Sequence, residues 1–197
     1  MASSSAEWFV QAAAPNPVEG DYAIADVEGE IPRELNGTLY RNGPNQKVLP
    51  KAGHRALHLF DGDALVHAIR FDDGAAHYTG RYARTESFEL EQQRGVYTIG
   101  GLNVPADEPV EEPPIGVQPN TNIVPHAGRL FALVENSVPF EMDPATLESL
   151  GPWDLDGRML GLSTTAHPKI DGRTGQMWIH GYQPVEPYIG LYCVEPD

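Results

Sequence analysis

The side chains in this sequence that are best suited to bind a metal ion are its seven histidines. They are His54, His58, His67, His77, His126, His167 and His180. His167 stands apart because it directly precedes Pro168, and a proline favours an extended backbone at the residue before it. A metal ligand needs an imidazole whose backbone is held in one conformation. The local sequence therefore makes His167 a candidate metal ligand.

The other histidines have simpler interpretations. His54 and His58 have the four-residue spacing of a helical metal pair, but the apolar residues around His58 predict a strand. His67 and His77 are predicted to face each other across a hairpin as a polar pair. His126 precedes a predicted turn. The spacing of the histidines does not identify a set of ligands, and a structural role stays open for each.

The segment Asp61-Gly62-Asp63 has the composition of part of a calcium-binding loop, but no further ligands follow at the required spacing. Aspartates that flank a glycine are typical of turns, so we interpret this segment as structural. The sequence also lacks a nucleotide-binding glycine loop, a Gly-x-Ser-x-Gly motif and a persuasive pair of nucleophile and base. The residues alone therefore indicate no complete catalytic site.

The composition is that of a globular protein that does not bind nucleic acid. Of the 197 residues, 41% are hydrophobic and 21% are charged. Lysines and arginines number 13 and acidic residues 28, and the resulting net charge of −15 would repel a phosphate backbone. Cys193 is the single cysteine, which excludes an intrachain disulfide and a cysteine-based zinc site and favours a cytoplasmic location.

The N-terminal residues 1–16 lack the basic and apolar regions of a secretory signal, and we interpret them as a flexible arm. No stretch approaches the roughly 18 apolar residues that a membrane-spanning helix needs. Any membrane contact is therefore expected to be peripheral. Residues 17–197 are expected to form the folded domain.

Short apolar runs, separated by many of the 20 glycines and 18 prolines, predict an all-β fold. A hairpin is predicted within residues 65–84, and further strand pairs over 128–143 and 169–182. This rhythm is typical of a sandwich, a barrel or a propeller. One helix is predicted from Glu86 to Arg94. The proline-rich residues 105–119 predict an irregular surface connection.

Five sequence motifs form an ordered set along the chain. They are IPRELNGTLYRNGPN at 31–45, LFDGDALVH at 59–67, NTN with the following HAG at 120–128, DPATLE at 143–148 and TTAHPK at 164–169. Together they closely resemble the carotenoid oxygenase family, also called carotenoid cleavage dioxygenases. Several motifs in the same order are far more specific than any one of them. The resemblance covers the chain from about residue 17 onward.

The resemblance implies a seven-bladed β-propeller with a non-haem Fe(II) on its axis, held by four histidines from different blades. It implies a reaction in which O2 adds across a carbon–carbon double bond of an apolar alkene and splits it into two carbonyl products. In the family pattern, the histidine of the Ala-His-Pro motif is the first iron ligand, and here that residue is His167. A glutamate that accepts the other ring N–H of a ligating histidine corresponds to Glu135.

Two positions depart from one branch of the family. Members that cleave stilbenes and phenylpropenoids place a lysine before this glutamate and a tyrosine in the preceding loop, and the pair grips the phenolic oxygen of the substrate. Here the residue before Glu135 is Val134, and the loop tyrosine, Tyr97, lies early in that loop. The expected substrate is therefore a carotenoid-like or apocarotenoid-like polyene. A stilbene- or phenylpropenoid-cleaving oxygenase is the alternative.

Family members are more than twice as long as this chain, and the other three histidine ligands of the pattern would follow Asp197. We therefore expect a truncated chain that forms only the N-terminal blades and is inactive alone. One alternative is a catalytically inactive propeller fragment that serves as a binding or structural module. A retinoid isomerase is another, because one fold hosts several chemistries.

Overall fold

The computed structural model describes residues 14–114, 118–135, 137–161 and 163–197. The predicted arm at residues 1–16 therefore lies almost entirely outside the described residues. The all-β prediction is confirmed, because strands account for nearly all regular structure in these ranges. The strands are β1 (Gly20–Ala23), β2 (Gly37–Pro44), β3 (Ala64–Asp72), β4 (Ala75–Tyr82), β5 (Asn122–His126), β6 (Arg129–Leu133), β7 (Phe140–Met142), β8 (Ser149–Pro152), β9 (Lys169–Ile170), β10 (Met177–Tyr182) and β11 (Ile189–Val194).

The strands form three antiparallel sheets that follow one another along the chain, and we call them blades 1, 2 and 3. Blade 1 has the strand order β1-β4-β3-β2, blade 2 has β5-β6-β7-β8, and blade 3 has β11-β10-β9. Neighbouring strands within each blade are joined mainly by short turns, as the glycine and proline pattern predicts. No helix in the described ranges is long and apolar enough to cross a bilayer.

The predicted hairpin is confirmed, but its register differs from the expected pairing of histidines. The turn is made by Asp73 and Gly74, both at positive φ (43° and 81°), the geometry of a two-residue hairpin turn. Because the turn centres there, His67 pairs with Gly80, and His77 pairs with Arg70. The prediction that the two histidines face each other is wrong. It would need the turn to centre on Asp72, whereas the observed turn centres between Asp73 and Gly74.

The strand expected around His58 is also absent. A 3-10 turn spans His54–Ala56, and an irregular loop follows it. The Asp61 carboxylate accepts a hydrogen bond from the backbone N–H of His58 at 2.7 Å, and His58 Nδ1 accepts one from the N–H of Phe60 at 3.1 Å. Local side chains thus satisfy backbone donors that a strand would pair with a neighbour.

The helix α1 spans Glu86–Arg94, as predicted. Its N-cap is Thr85, whose hydroxyl accepts the backbone N–H of Phe88 at 3.2 Å. Gly95 ends the helix in the left-handed conformation, with φ 65°. The side of α1 that carries Phe88 and Glu91 is buried, so the helix is anchored to blade 1, where Phe88 stacks on Tyr82.

Blade 2 packs through both of its faces, and β6 shows how. Leu130 and Ala132 point to one side and belong to a core shared with Val66 and Ala68 of blade 1. Phe131 and Leu133 point to the other side and join a core with Trp153, Ala166 and Met177. This alternation follows from the two-residue period of a strand, and it explains why β6 is apolar from Leu130 to Leu133 instead of alternating.

A segment from Ser163 to Thr165 lies directly on β10. Ser163 Oγ donates to the carbonyl of Tyr182 at 2.7 Å, and the N–H of Thr165 donates to the carbonyl of His180 at 2.6 Å. A Cβ at Gly181 would overlap the carbonyl oxygen of Ser163. Gly181 is therefore required by the close approach of two backbones, not by its φ.

We expect Gly181→Ala to destabilise the protein by about 1–3 kcal/mol, because the added methyl pushes the Ser163 segment off β10. Gly172→Ala is the matched control, since a Cβ at Gly172 meets no atom within 4 Å. Urea denaturation measures the free energy of unfolding of both variants. Equal stability of the two variants would contradict the close packing of this segment.

Two carboxyl groups are buried between the start of β3 and the helix α1. Asp63 and Glu91 are 1% and 2% exposed, and the side-chain amide of Gln46 donates to both, at 3.4 Å and 3.0 Å. Burial raises the pKa of Asp63 to about 7, and the charge of Glu91 adds to this increase. Burial also raises the pKa of Glu91, although the N–H groups of Thr98 and Ile99 oppose that shift.

The Asp63 pKa of about 7 in the folded state lies above the value of about 3.9 in an unfolded chain. The stability it contributes is therefore fully present below about pH 4 and is lost as the pH rises through about 7. Asparagine does not titrate, so in Asp63→Asn this loss of stability with rising pH does not occur. We expect the free energy of unfolding of D63N, relative to wild type, to rise by about 2–3 kcal/mol between about pH 5 and about pH 8.

Urea denaturation across that pH range measures the effect. Asp143→Asn is the control, because hydrogen bonds from the backbone of Thr146 and Ala145 lower the pKa of Asp143 and place its titration below the range. A difference between D63N and wild type that does not change with pH would contradict the raised pKa.

Candidate metal site

His167 projects from a buried backbone at the junction of blades 2 and 3. The preceding residues Thr164, Thr165 and Ala166 are 1%, 2% and 0% exposed, whereas the His167 side chain is 63% exposed. Thr164 forms an antiparallel bridge with Ser137, whose carbonyl accepts its N–H at 2.8 Å. The backbone is therefore fixed inside the protein while the imidazole remains accessible.

Side chains of blade 2 and its following loop hold the peptide groups that lead into His167. The Glu135 carboxylate accepts the N–H of Ala166 and the hydroxyl of Thr165, both at 3.1 Å. The side-chain amide of Asn122 donates to the Ala166 carbonyl at 2.8 Å. The Thr165 hydroxyl in turn accepts the N–H of His167 at 3.0 Å. Both polar atoms of Ala166 are thus satisfied by side chains.

Glu135 lies beside the His167 ring but does not form a hydrogen bond with it. The distance from Glu135 Oε1 to His167 Nε2 is 3.7 Å, which is close enough for an ion pair and too long for a hydrogen bond. The same oxygen accepts the two bonds from Thr165 and Ala166. Its contacts therefore fix the backbone before the ring, and a role for Glu135 in orienting a ligating imidazole stays a prediction.

The remaining histidines lie apart from His167. His126 is buried and its Nε2 is 2.8 Å from the Glu195 carbonyl, while His67 Nδ1 is 2.7 Å from the hydroxyl of Tyr78. Burial and then the charge of Arg41 lower the pKa of His67. His180 is exposed on β10. Within the described ranges, no three residues of the types His, Cys, Asp and Glu are grouped so that they could hold a metal ion.

The chemistry of the His167 site fits one position in a metal site built from several parts of a protein. Imidazole is a suitable ligand for iron, and an accessible ring on a fixed backbone is presented to a metal without further ordering. The adjacent Glu135 carboxylate would favour a cation there. A single imidazole nevertheless supplies only one of the bonds that a metal ion needs.

The two positions that correspond to the phenol-binding pair of the stilbene-cleaving branch carry no accessible polar group. Val134 is half-buried and carries no polar atom on its side chain. Tyr97 is 2% exposed, and burial, followed by the charges of Asp61 and Glu91, raises its pKa. Its hydroxyl lies near Gly101 inside the protein, so it is not presented at an open surface.

Sequence reasoning missed Asn42 and Asn122, which connect the blades near His167. Asn42 Nδ2 donates to the carbonyls of Pro119 and Asn122 at 2.6 and 2.8 Å. Asn122 Nδ2 continues the connection to Ala166. Both asparagines lie in motifs that carry the family resemblance, at 31–45 and 120–128, but the sequence predicts no strand there and gives no signal of their partners.

Comparisons with known proteins identify the group to which the chain belongs. The family model of the retinal pigment epithelial membrane protein, RPE65, matches residues 13–197. Resveratrol cleavage oxygenase 1 of Aspergillus fumigatus is 40% identical over 185 residues, which cover 92% of this chain and 36% of that protein. Isoeugenol monooxygenase of Pseudomonas putida is 36% identical over 168 residues, which cover 85% and 34%.

The fold agrees with these matches. The solved structure of cobalt-substituted Synechocystis ACO superposes with a TM-score of 0.82 and 29% identity, over 98% of this chain and 43% of that one. The chain spans about a third of the length of the curated relatives it matches. The prediction of a partial propeller is confirmed. On the family match and this superposition, the chain belongs to the carotenoid oxygenase family and forms blades of that family's seven-bladed propeller.

Proposed function

We propose that this chain is part of an Fe(II)-dependent oxygenase that cleaves a carbon–carbon double bond, and that His167 is one of its iron ligands. The observation that carries the proposal is the accessible His167 imidazole on a backbone fixed by Glu135 and Asn122. The reaction joins one oxygen atom of O2 to each alkene carbon and breaks the bond between them, so that two carbonyl products form. Iron would supply the reactivity with O2 that protein side chains lack.

The residues of this chain have a binding role in the proposed reaction. His167 would donate one neutral nitrogen to the iron, and Glu135 would keep the adjacent backbone in place. The other histidine ligands are proposed to come from the part of the protein that corresponds to the remaining two thirds of the relatives. Ligands from separate blades would hold the iron in a fixed position, because sheets position side chains more precisely than loops do.

We propose an apolar polyene of the carotenoid or apocarotenoid type as the substrate. Val134 offers no cation to a phenolate, and Tyr97 is buried with its hydroxyl inside the protein. A site without these groups has no donor in this region with which to recognise a phenolic oxygen. The substrate would then be bound through its apolar surface.

A phenylpropenoid or stilbene is the second candidate substrate. It is favoured by the names of two relatives, which act on resveratrol and isoeugenol and are 40% and 36% identical to this chain. The two candidates share the chemistry at the double bond and differ in what holds the substrate. They can be separated by testing whether the phenolic hydroxyl matters.

The iron-ligand proposal can be tested in a chimera in which residues 17–197 replace the corresponding segment of Synechocystis apocarotenoid oxygenase. We expect the chimera to retain iron and to cleave an apocarotenal, and His167→Ala to leave less than about one tenth of the iron and of the activity. His180→Ala is the control, because His180 is exposed on β10 and lies outside the proposed site.

Iron measured by elemental analysis and aldehyde products measured by chromatography give the two readouts. Full iron content in His167→Ala would show that this residue is not a ligand. A folded chimera that retains iron but forms no product would instead favour a module that has lost catalytic activity.

The substrate proposal can be tested in the same chimera with 4-hydroxystilbene and 4-methoxystilbene. A site that grips the phenolic oxygen should prefer the hydroxyl compound by about a hundredfold or more. We expect a preference of less than about threefold, because Val134 and Tyr97 supply no such contact. Val134→Lys is expected to increase the preference, and the ratio of kcat/KM values measures it. A hundredfold preference in the unmodified chimera would establish the phenolic alternative.

A further inference from the structure

We infer that Asn122 is a positioning residue for His167, and that it acts by holding the carbonyl group of Ala166. The Asn122 side-chain amide lies 2.8 Å from that carbonyl oxygen, although the two residues are 44 positions apart in the sequence. The inference concerns the backbone that carries the imidazole. Its significance for iron rests on the function proposed above, but the positioning itself can be measured without metal.

The orientation of the Asn122 amide is fixed by its second hydrogen bond. Its Oδ1 accepts the backbone N–H of Ile123 at 2.8 Å, so Nδ2 must point toward Ala166. A flipped amide would place Oδ1 against the Ala166 carbonyl oxygen and Nδ2 against the N–H of Ile123. Both contacts would then be repulsive, because each would join two groups of the same kind.

The backbone of Asn122 is itself held by blade 1. Asn42 Nδ2 donates to the Asn122 carbonyl at 2.8 Å and to the Pro119 carbonyl at 2.6 Å. A connection of two side-chain amides therefore runs from β2 through β5 to the residue before His167. Asn42 thus joins β2 to the start of β5, whereas the bond to the residue before His167 is made by Asn122.

The hydrogen bond from Asn122 satisfies the carbonyl of Ala166, which is the second polar group of that residue's backbone. Glu135 accepts the N–H of Ala166, and Asn122 donates to its carbonyl. Ala166 is fully buried, so water cannot replace either partner without a rearrangement. Loss of the Asn122 amide would leave the buried Ala166 carbonyl without a donor, and the backbone between Ala166 and His167 would be free to move.

A purely structural bond between blades would behave differently from a positioning bond. Asn42 offers the matched comparison, because it has the same side chain, donates to two backbone carbonyls and makes no contact with Ala166. Asn42→Ala should lower global stability without a specific effect at His167. Asn122→Ala should additionally free the backbone at Ala166 and His167. Asn122→Asp keeps the acceptor for Ile123 and replaces the donor by a carboxylate oxygen, which would repel the Ala166 carbonyl oxygen.

Hydrogen exchange of backbone amides, followed by NMR on this chain without metal, measures the difference. In Asn122→Ala and Asn122→Asp we expect the N–H groups of Ala166 and His167 to exchange at least about tenfold faster than the change in global stability explains. In Asn42→Ala, exchange at these two groups should change only as global stability does. An equal response of the Asn42 and Asn122 variants would overturn the inference.

The wild-type protein provides an independent measurement if the Asn122 variants do not fold. The Nδ2 protons of Asn122 should exchange about tenfold more slowly than those of Asn36, whose amide is exposed. Equally fast exchange would overturn the inference.

Failure of the iron proposal remains distinguishable from failure of this inference. Suppose that amide exchange at Ala166 is faster in the Asn122 variants and that the His167→Ala chimera keeps its full iron content. These results would support positioning by Asn122 and reject His167 as a ligand. The reverse combination would keep the ligand and reject the role of Asn122.

Discussion

The backbone of Ala166 is buried, and the rest of the site depends on how its N–H and its C=O are satisfied. Its N–H and C=O bond with side chains of Glu135 and Asn122 instead of a neighbouring strand. A buried peptide group without partners costs free energy comparable to that of a lost hydrogen bond. The two side chains therefore determine where the backbone before His167 can lie, and hence where the imidazole is presented.

This arrangement requires blades that pack on both faces. Because β6 sends Leu130 toward blade 1 and Phe131 toward blade 3, blade 2 is fixed between its neighbours. Asn122 lies on β5 of that blade, and Glu135 follows β6. Their side chains reach the backbone of Ala166 because apolar packing on both faces fixes blade 2 relative to its neighbours. The apolar packing thus determines the precision of the polar contacts.

Features of the fold that arise from nearby residues were predictable from the sequence. The helix α1 followed from its apolar residues and from Gly95 as its stop, and the hairpin of β3 and β4 followed from Asp73-Gly74. Errors arose where the exact centre of a turn or a local side-chain bond decided the outcome. The turn centre moved His67 and His77 out of register, and the Asp61 carboxylate replaced the strand expected at His58.

The candidate site was predictable only in part, because its contacts join distant parts of the chain. The TTAHPK motif indicated His167, but nothing in the local sequence indicates that Asn122 reaches a carbonyl 44 residues away. The pairing follows from the order of the blades, which the motifs imply through family resemblance and not through periodicity. Asn42 escaped notice for the same reason.

The proposed iron site, with ligands from separate blades, would impose a particular demand on the architecture. When several ligands lie on one helix or hairpin, local secondary structure sets their spacing, but ligands on different blades share no such element. Each must then be positioned by contacts between its blade and the next before the metal arrives. The bond from Asn122 to Ala166 supplies such a contact between blade 2 and the segment before blade 3, and the bonds from Asn42 join blade 1 to blade 2. The proposed metal site would then be preorganised at His167 by a bond between a side-chain amide and a backbone carbonyl, and metal binding need not order this backbone at the same time.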